Sequence, residues 1–335
     1  MTPRRSPVSQ TPAARGTRAP KRARKSAGPR THRVHDAAAT TARERTALRV
    51  TTCAKVNLSL EVVRRREDGY HEIETIFQAI DLADEMEILL TDDASVEIAC
   101  DAPGIPTDER NLCHRAIVAM RPLAGRSLGA RIRLTKRIPA GAGLGGGSAN
   151  AAGVLLAVRR GLRLDTPLVE LEKIAASIGS DVPFLLHGGT MMGRGRGEIL
   201  TPLEPLNRGA FLIVKPEVSI PTAWVYSNLN FRLTSHRPRL NLRSVNSVLA
   251  RFPRGSLPFR NALEAVVLPA YPAVRKLLEE LLAEQPCFAS MSGSGSAVFA
   301  VFDDEARAAE VARRFSVRGL FTSVAKPARQ AVDIR

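Results

Sequence analysis

The feature that most constrains this chain of 335 residues is a glycine-rich stretch that runs into a helix-forming segment. Residues 141–147 contain five glycines. Ser148 follows, and then a segment that is apolar over 151–158 and that we expect to begin a helix at Asn150. Glycine lets the backbone turn freely and approach a ligand closely, and a helix N-terminus attracts negative charge. The stretch therefore predicts a loop whose amides surround an anion, most simply a phosphate.

Other kinds of loop share part of this pattern. Gly141, Gly143 and Gly146 have the GxGxxG spacing of a dinucleotide-binding turn, with Asp165 at a suitable distance, but the polar residues 136–139 separate them from any buried strand. A P-loop is excluded, because the stretch has no lysine before its serine. A flexible linker does not fit either, because so apolar a helix must be buried and would fix the loop in place.

Composition excludes several classes of protein. Hydrophobic residues make up 44% of the chain, yet no apolar run approaches the roughly 20 residues that a membrane-spanning helix needs. The four cysteines have neither CxxC spacing nor a nearby histidine at zinc-ligand spacing, so neither a disulfide framework nor a zinc site is indicated. We expect a cytoplasmic protein whose cysteines are small buried side chains.

The net charge of +16 is concentrated at the N-terminus. Residues 1–50 hold 13 Lys and Arg against two acids, a net of +11, so the rest carries only 16 − 11 = +5. We predict that residues 1–46 are a disordered basic extension, because they cannot bury enough apolar surface to offset the entropy of ordering. Such a tail is either simply solvated, a transit peptide to a plastid-type organelle, or an arm that binds polyanions weakly.

Strand patterns precede helix patterns along the body of the chain, which predicts an α+β architecture. Residues 48–52 and 56–63 are predicted to form two strands, and residues 56–62 alternate apolar with polar side chains, as in a sheet with one wet face. Thr166 and Pro167 suit the start of a helix that Gly179 ends. Two domains are predicted, 47–200 and 201–335.

The glycine stretch, read as Pro-x-Gly-x-Gly-Leu-Gly, resembles the phosphate-binding motif of the GHMP kinase family, with Gly146 and Gly147 where most members have paired serines. The family's other motifs have counterparts in order, at residues 53–58, 179–183 and 291–297. The resemblance implies a two-domain fold: an N-terminal ATP-binding domain with a mixed or antiparallel sheet plus helices, and a C-terminal α/β-sandwich-like domain. It also implies an enzyme that uses ATP and Mg²⁺ to phosphorylate an alcohol.

Residues 68–71, Asp-Gly-Tyr-His, with 74–78 after them, resemble the signature of one branch of the family. That branch phosphorylates the 2-hydroxyl of a cytidine diphosphate-linked methylerythritol in the non-mevalonate isoprenoid pathway. We therefore expect a small-molecule substrate, and no membrane or nucleic acid is needed. The alternatives are a family kinase for another small alcohol and a basic-tailed protein that binds polyanions.

The resemblance implies that Asp181 is the general base, although a Ser-Asp pair after a glycine is also a common helix cap. Lys55, which would otherwise be a lysine on the wet face of a strand, becomes the partner that keeps Asp181 ionised. Asn57 lies two residues further along the strand and so shares that face. Lys55 and Asn57 are expected to form the wall of the active site.

Nucleotide and substrate residues are also implied by the resemblance. Tyr70 and His71 would bind cytosine, and Tyr226, which follows Thr222, would supply a second stacking face. The metal ligands are unknown, because phosphates and water often hold most of the magnesium. Ser148 is one candidate. The residues expected to contact ATP are Asn111, Lys136, Pro139, Ala140, Gly141, Ala142, Gly143, Leu144, Gly145, Gly146, Gly147, Ser148 and Ala149.

Overall fold

The computed structural model describes residues 47–229, 241–254 and 258–335, and all of these belong to one compact unit. The basic extension 1–46 lies outside the described residues. Its disorder and its roles as a transit peptide or a polyanion-binding arm therefore stay predictions.

Strands and helices alternate irregularly along the chain. The strands are β1 (Leu48–Arg65), β2 (His71–Thr91), β3 (Val96–Cys100), β4 (Gly129–Thr135), β5 (Thr190–Arg194), β6 (Ile199–Pro202), β7 (Ala210–Lys215), β8 (Phe288–Met291), β9 (Val298–Phe302), β10 (Phe321–Ala325) and β11 (Val332–Ile334). The helices are α1 (Leu112–Ala124), α2 (Gly146–Gly161), α3 (Leu168–Ile178), α4 (Val182–His187), α5 (Thr222–Ser227), α6 (Leu242–Leu249), α7 (Glu264–Ala270), α8 (Pro272–Ala283) and α9 (Glu305–Ser316).

Two sheets organise these elements. The first has the order β11-β1-β2-β4-β3, and β5 extends it by pairing with β2 and with β6. It is mixed, since β3 runs parallel to β4 while the other pairs are antiparallel. The second is antiparallel, with the order β10-β7-β9-β8. These are the α+β layers that the sequence predicts. The C-terminal strand β11 returns to the first sheet, so order along the chain does not separate the two sheets; the split at residue 200 stays a prediction.

Strand β1 is one continuous element, where the sequence predicts two strands with one wet face. Its apolar side chains, among them Val56 and Leu58, pack with Phe211 and Phe299 of the second sheet. Its polar face is also withdrawn from solvent, because Lys55 and Asn57 are only 3% and 2% exposed. The expectation of a wet face is therefore wrong.

The second sheet is buried on both faces. Leu212 and Val214 of β7 share a core with helices α8 and α9, whereas Phe211 and Ile213 share one with β1. Helix α2 packs on the first sheet together with α1 and α4. Among the described residues, no helix is both long and apolar enough to cross a membrane.

Candidate active site

A lysine and an aspartate meet where strand β1 passes the start of helix α4. Lys55 Nζ donates a hydrogen bond to Asn57 Oδ1 at 2.7 Å and lies 3.4 Å from Asp181 Oδ2. Burying an ammonium is costly unless charged and polar partners surround it. The Lys55 side chain is 4% exposed and that of Asp181 31%, so the carboxylate forms the accessible end of the pair.

Asn57 is held in turn by a short chain of hydrogen bonds across the β1–β2 hairpin. Its Nδ2 donates to Thr75 Oγ1 at 2.7 Å, and the Thr75 hydroxyl donates to the carbonyl of Ser59 at 2.7 Å. This chain fixes which way the Asn57 amide faces and leaves its oxygen for Lys55.

Asp181 is positioned by a closely packed helix. The residue precedes α4, whose residues 182–186 are all buried, and Phe184 stacks on Phe77 of β2 with ring centroids 4.8 Å apart. Its side chain makes no capping hydrogen bond to the helix. The alternative role as a helix cap is therefore not the one that the structure shows.

The glycine loop, residues 141–147, lies between Lys55 and the C-terminal glycine motif, residues 291–297. The Lys55 amide donates to the carbonyl of Leu144 at 2.9 Å, and the Ser292 hydroxyl donates to that of Gly143 at 2.9 Å. Gly143 has φ +76°, and a Cβ built on it would stand 2.0 Å from the carbonyl oxygen of Ser292. Only glycine allows this approach. The motifs at residues 53–58, 141–147 and 291–297, which are far apart in the sequence, thus contact one another.

Helix α2 begins at Gly146, four residues before the predicted start at Asn150. Gly145 precedes the helix with φ +72°, and its carbonyl accepts the first helical bond from Ala149. The amides of Gly146, Gly147 and Ser148 belong to the first turn, where a helix offers no internal acceptor. With the helix dipole behind them, these amides suit an anion.

Two cavities open on this loop. One of about 340 Å³ is bounded by residues 139–148 together with Asn111 and Lys136. The other, of about 870 Å³, contains Lys55, Asn57 and Asp181. Both are lined by Gly141, Gly143, Gly145 and Ser148. The smaller cavity therefore includes every predicted ATP residue except Ala149, which lies buried in α2.

Asn111 and Lys136 have structural partners as well as their place in the smaller cavity. The Asn111 side chain accepts from the Cys113 amide at 2.9 Å, so it caps α1. The Lys136 ammonium pairs with the fully buried Asp84 and donates to Asn150 Oδ1 at 3.2 Å. Lys136 therefore ties the strand before the loop to the helix after it.

The predicted substrate residues all line the larger cavity. His71 stacks directly on Tyr226 with centroids 5.0 Å apart, while Tyr70 is 55% exposed. Burial, and then the charge of Arg65, lower the pKa of His71, so its neutral form is favoured. Burial, reinforced by Asp181, raises the pKa of Tyr226. The Thr222 hydroxyl is 2.8 Å from that of Ser294 in the C-terminal glycine motif.

Known proteins resemble this chain over most of its length. The families described as GHMP kinases N terminal domain and GHMP kinases C terminal match residues 111–189 and 246–318. A 4-diphosphocytidyl-2-C-methyl-D-erythritol kinase of Geobacter sulfurreducens is 40% identical over 82% of this chain and 96% of its own. The chain belongs to this branch of the GHMP kinase family.

Further relatives agree. A Chlorobaculum tepidum kinase of the same name is 40% identical over 80% of this chain and 94% of its own. A crystal structure of a 4-(cytidine 5'-diphospho)-2C-methyl-D-erythritol kinase superposes with a TM-score of 0.72 at 33% identity, covering 84% of this chain and 100% of that one. A homoserine kinase from Cytophaga hutchinsonii, at 20% identity and a TM-score of 0.64, covers 87% and 98% and shares the fold. The predicted family, branch and fold class are confirmed.

Two arginines at the site of this GHMP kinase are not predicted from its sequence. Arg65 at the end of β1 and Arg196 in the turn between β5 and β6 both line the larger cavity. An arginine flanked by Gly195 and Gly197 was a local signal of an exposed turn, but nothing local showed which wall the turn would join.

Proposed function

We propose that this chain transfers the γ-phosphoryl group of ATP to the 2-hydroxyl of 4-diphosphocytidyl-2-C-methyl-D-erythritol, in the non-mevalonate route to isoprenoid precursors. The observation that carries the proposal is the shared glycine loop. It lines a smaller cavity suited to a nucleotide and a larger one that holds Lys55 and Asp181. The phosphoryl donor, ATP, and the acceptor alcohol would therefore both contact the backbone of the same glycine loop.

In the proposed reaction, the acceptor hydroxyl loses its proton to Asp181 as its oxygen bonds to the γ-phosphorus, and ADP leaves. Lys55 balances the charge of the carboxylate and faces the charge on the transferred group. The amides at the start of α2 stabilise the phosphate oxygens. Lys55 is already oriented by its hydrogen bond to Asn57, and Asp181 is positioned by the buried helix that follows it, so little reorganisation is needed.

Mg²⁺ belongs to the proposal, since it would neutralise phosphate charge during transfer. No group of three or more potential His, Cys, Asp or Glu ligands occurs in the described part of the chain. Ser148, which lines both cavities, is a hard oxygen donor of the kind magnesium accepts. This residue fits an ion held mainly by phosphates and water.

Cytosine recognition is assigned to Tyr70 and His71. A base sandwiched between two rings needs roughly 7 Å between them, twice the ~3.5 Å contact distance of carbon atoms. His71 and Tyr226 are 5.0 Å apart, so they already contact each other. We therefore place the base against the exposed Tyr70 ring, with the neutral His71 binding its edge. Tyr226 then supports His71 from behind, and Thr222 keeps α5 beside the cavity.

The deciding experiment is an ADP-release assay with MgATP and a panel of alcohols: the cytidyl substrate, homoserine and mevalonate. We expect turnover with the cytidyl substrate and a phosphorylated product at its 2-hydroxyl. A preference for another alcohol would favour the alternative of a different small-molecule kinase and overturn the proposal. The cytoplasm as the compartment, and the absence of a need for nucleic acid, belong to the same proposal.

A further inference from the structure

We propose that Arg196 and Arg65 form a binding site for the diphosphate linker of the substrate, and so determine its specificity. This inference rests on the proposed function. A cytidine diphosphate ester presents three parts: a base, a pair of anionic phosphates and an alcohol. Tyr70 and His71 are assigned to the base and Lys55 with Asp181 to the alcohol, while the two arginines line the same cavity.

The position of Arg196 is built into the fold. The turn that carries it is fastened to β2, because the Ile73 amide donates to the carbonyl of Gly195 at 2.7 Å. The Gly197 amide closes the turn on the carbonyl of Arg194 at 3.0 Å. The guanidinium then lies over the Tyr70 ring, 4.9 Å from its centroid. A cation stacked on an aromatic ring is held flat, and its edge remains open to an acceptor.

Most of the hydrogen-bonding capacity of Arg196 is unused by the described residues. A guanidinium has five N–H donors. Its Nη2 makes one long bond to the carbonyl of Ala176 at 3.4 Å, and its Nε lies 3.7 Å from Glu198. Glu198 itself accepts from the Arg196 amide at 2.6 Å. The remaining donors are available for phosphate oxygens, which arginine binds in a two-point manner.

Arg65 differs from the arginines on either side of it, which both pair with carboxylates. Arg64 pairs with Glu72 at 2.5 Å, and Arg66 pairs with Asp68 at 3.0 Å. Arg65 has no ion pair within the described ranges, and it lies opposite His71 in the β1–β2 register. The arginine that lines the cavity is thus the one without a carboxylate partner.

The charge of the cavity lining matches a diphosphate. Lys55 is balanced by Asp181, and Glu198, which pairs with Arg196 at 3.7 Å, is not among the lining residues. Arg65 and Arg196 are therefore the cations of the lining that no lining carboxylate balances. A diphosphate diester carries two negative charges. Two guanidinium groups beside the assigned base site would therefore neutralise the linker while the alcohol reaches Asp181.

The test compares binding of cytidine and of CDP by titration calorimetry to the full chain and to R65Q, R196Q and R196K. A hydrogen bond between charged groups typically contributes substantial binding free energy. Its loss predicts about a ten- to hundred-fold lower CDP affinity in R65Q and R196Q. Cytidine affinity should change by less than about three-fold, since Arg196 reaches the base only through the Tyr70 ring and Arg65 only through His71. R196K should recover part of the loss, because a lysine keeps the charge without the planar fork.

R64Q is the matched control. It removes the same charge at the position next to Arg65, from an arginine that already pairs with Glu72. It should bind both ligands as the parent does. Equal losses for cytidine and CDP in R65Q and R196Q, or no loss of CDP affinity, would overturn the inference. If the parent turned over the cytidyl substrate in that case, the proposed function would still stand. A parent that binds neither cytidine nor CDP and phosphorylates another alcohol would instead refute the proposed function itself.

Discussion

Asp181 is the side chain on which the proposed chemistry depends most. We predict that Asp181→Asn folds and binds ATP, because the amide is isosteric, but lowers kcat by about 10²- to 10⁴-fold, the usual contribution of a general base. Steady-state ADP release and a thermal unfolding curve would measure both. Asp165→Asn, an exposed acid outside both cavities, is the matched control. Turnover within about three-fold of the parent would remove Asp181 as the base.

Individual residues show where sequence reasoning reached its limit. The motif resemblance named Lys55 and Asp181, and the structure brings them to 3.4 Å. Spacing alone left open whether Asp181 caps a helix, because capping depends on where the carboxylate turns. Arg196 was not identified at all, because its role depends on a turn packed against a strand some 120 positions earlier in the chain.

The glycine loop can be tested as an element. Gly143→Ala should lower the free energy of unfolding by about 2–4 kcal/mol, because it combines a left-handed conformation with a clash against the Ser292 backbone. Gly147→Ala is the control: its Cβ would meet only the Leu112 side chain at 3.7 Å, and alanine favours the helix. We expect it to be as stable as the parent or up to about 1 kcal/mol more stable. Equal stability of the two variants in urea would contradict this.

Element boundaries were predictable where the local pattern was strong. Helix α3 ends at Ile178, just before Gly179, as predicted from its punctuation. Helix α2 starts earlier than predicted, because the low helix propensity of Gly146 and Gly147 favoured a later start. Strand β11 has three residues, too few for a periodic signal, and exists because β1 offers it an edge.

Strand β11, near the end of the sequence, pairs with the edge of strand β1. Val50 lies opposite Ile334 and Thr52 opposite Val332, and the amide of Arg335 donates to the carbonyl of Arg49 at 2.8 Å. Deleting residues 332–335 removes these backbone bonds and exposes the edge of β1. We predict a loss of about 2–4 kcal/mol in the free energy of unfolding, from several bonds of ~1 kcal/mol each.

The same measurement on Asp333→Asn provides the control for that deletion, because this exposed side chain can lose its charge while the strand remains. Chemical denaturation of both variants is the test. A truncated chain as stable as the parent would mean that β11 adds nothing to the sheet.

The loop that lines both cavities also bears on how the protein could be blocked. Both cavities are lined by Gly141, Gly143, Gly145 and Ser148. The distance between ligands bound in the two cavities is therefore set by the backbone of this one loop. A synthetic compound that joins an adenosine polyphosphate to a cytidine through a short tether would bind with its second half already at millimolar effective concentration. Such a two-headed inhibitor would exploit the pairing of both sites, which neither nucleotide alone can address.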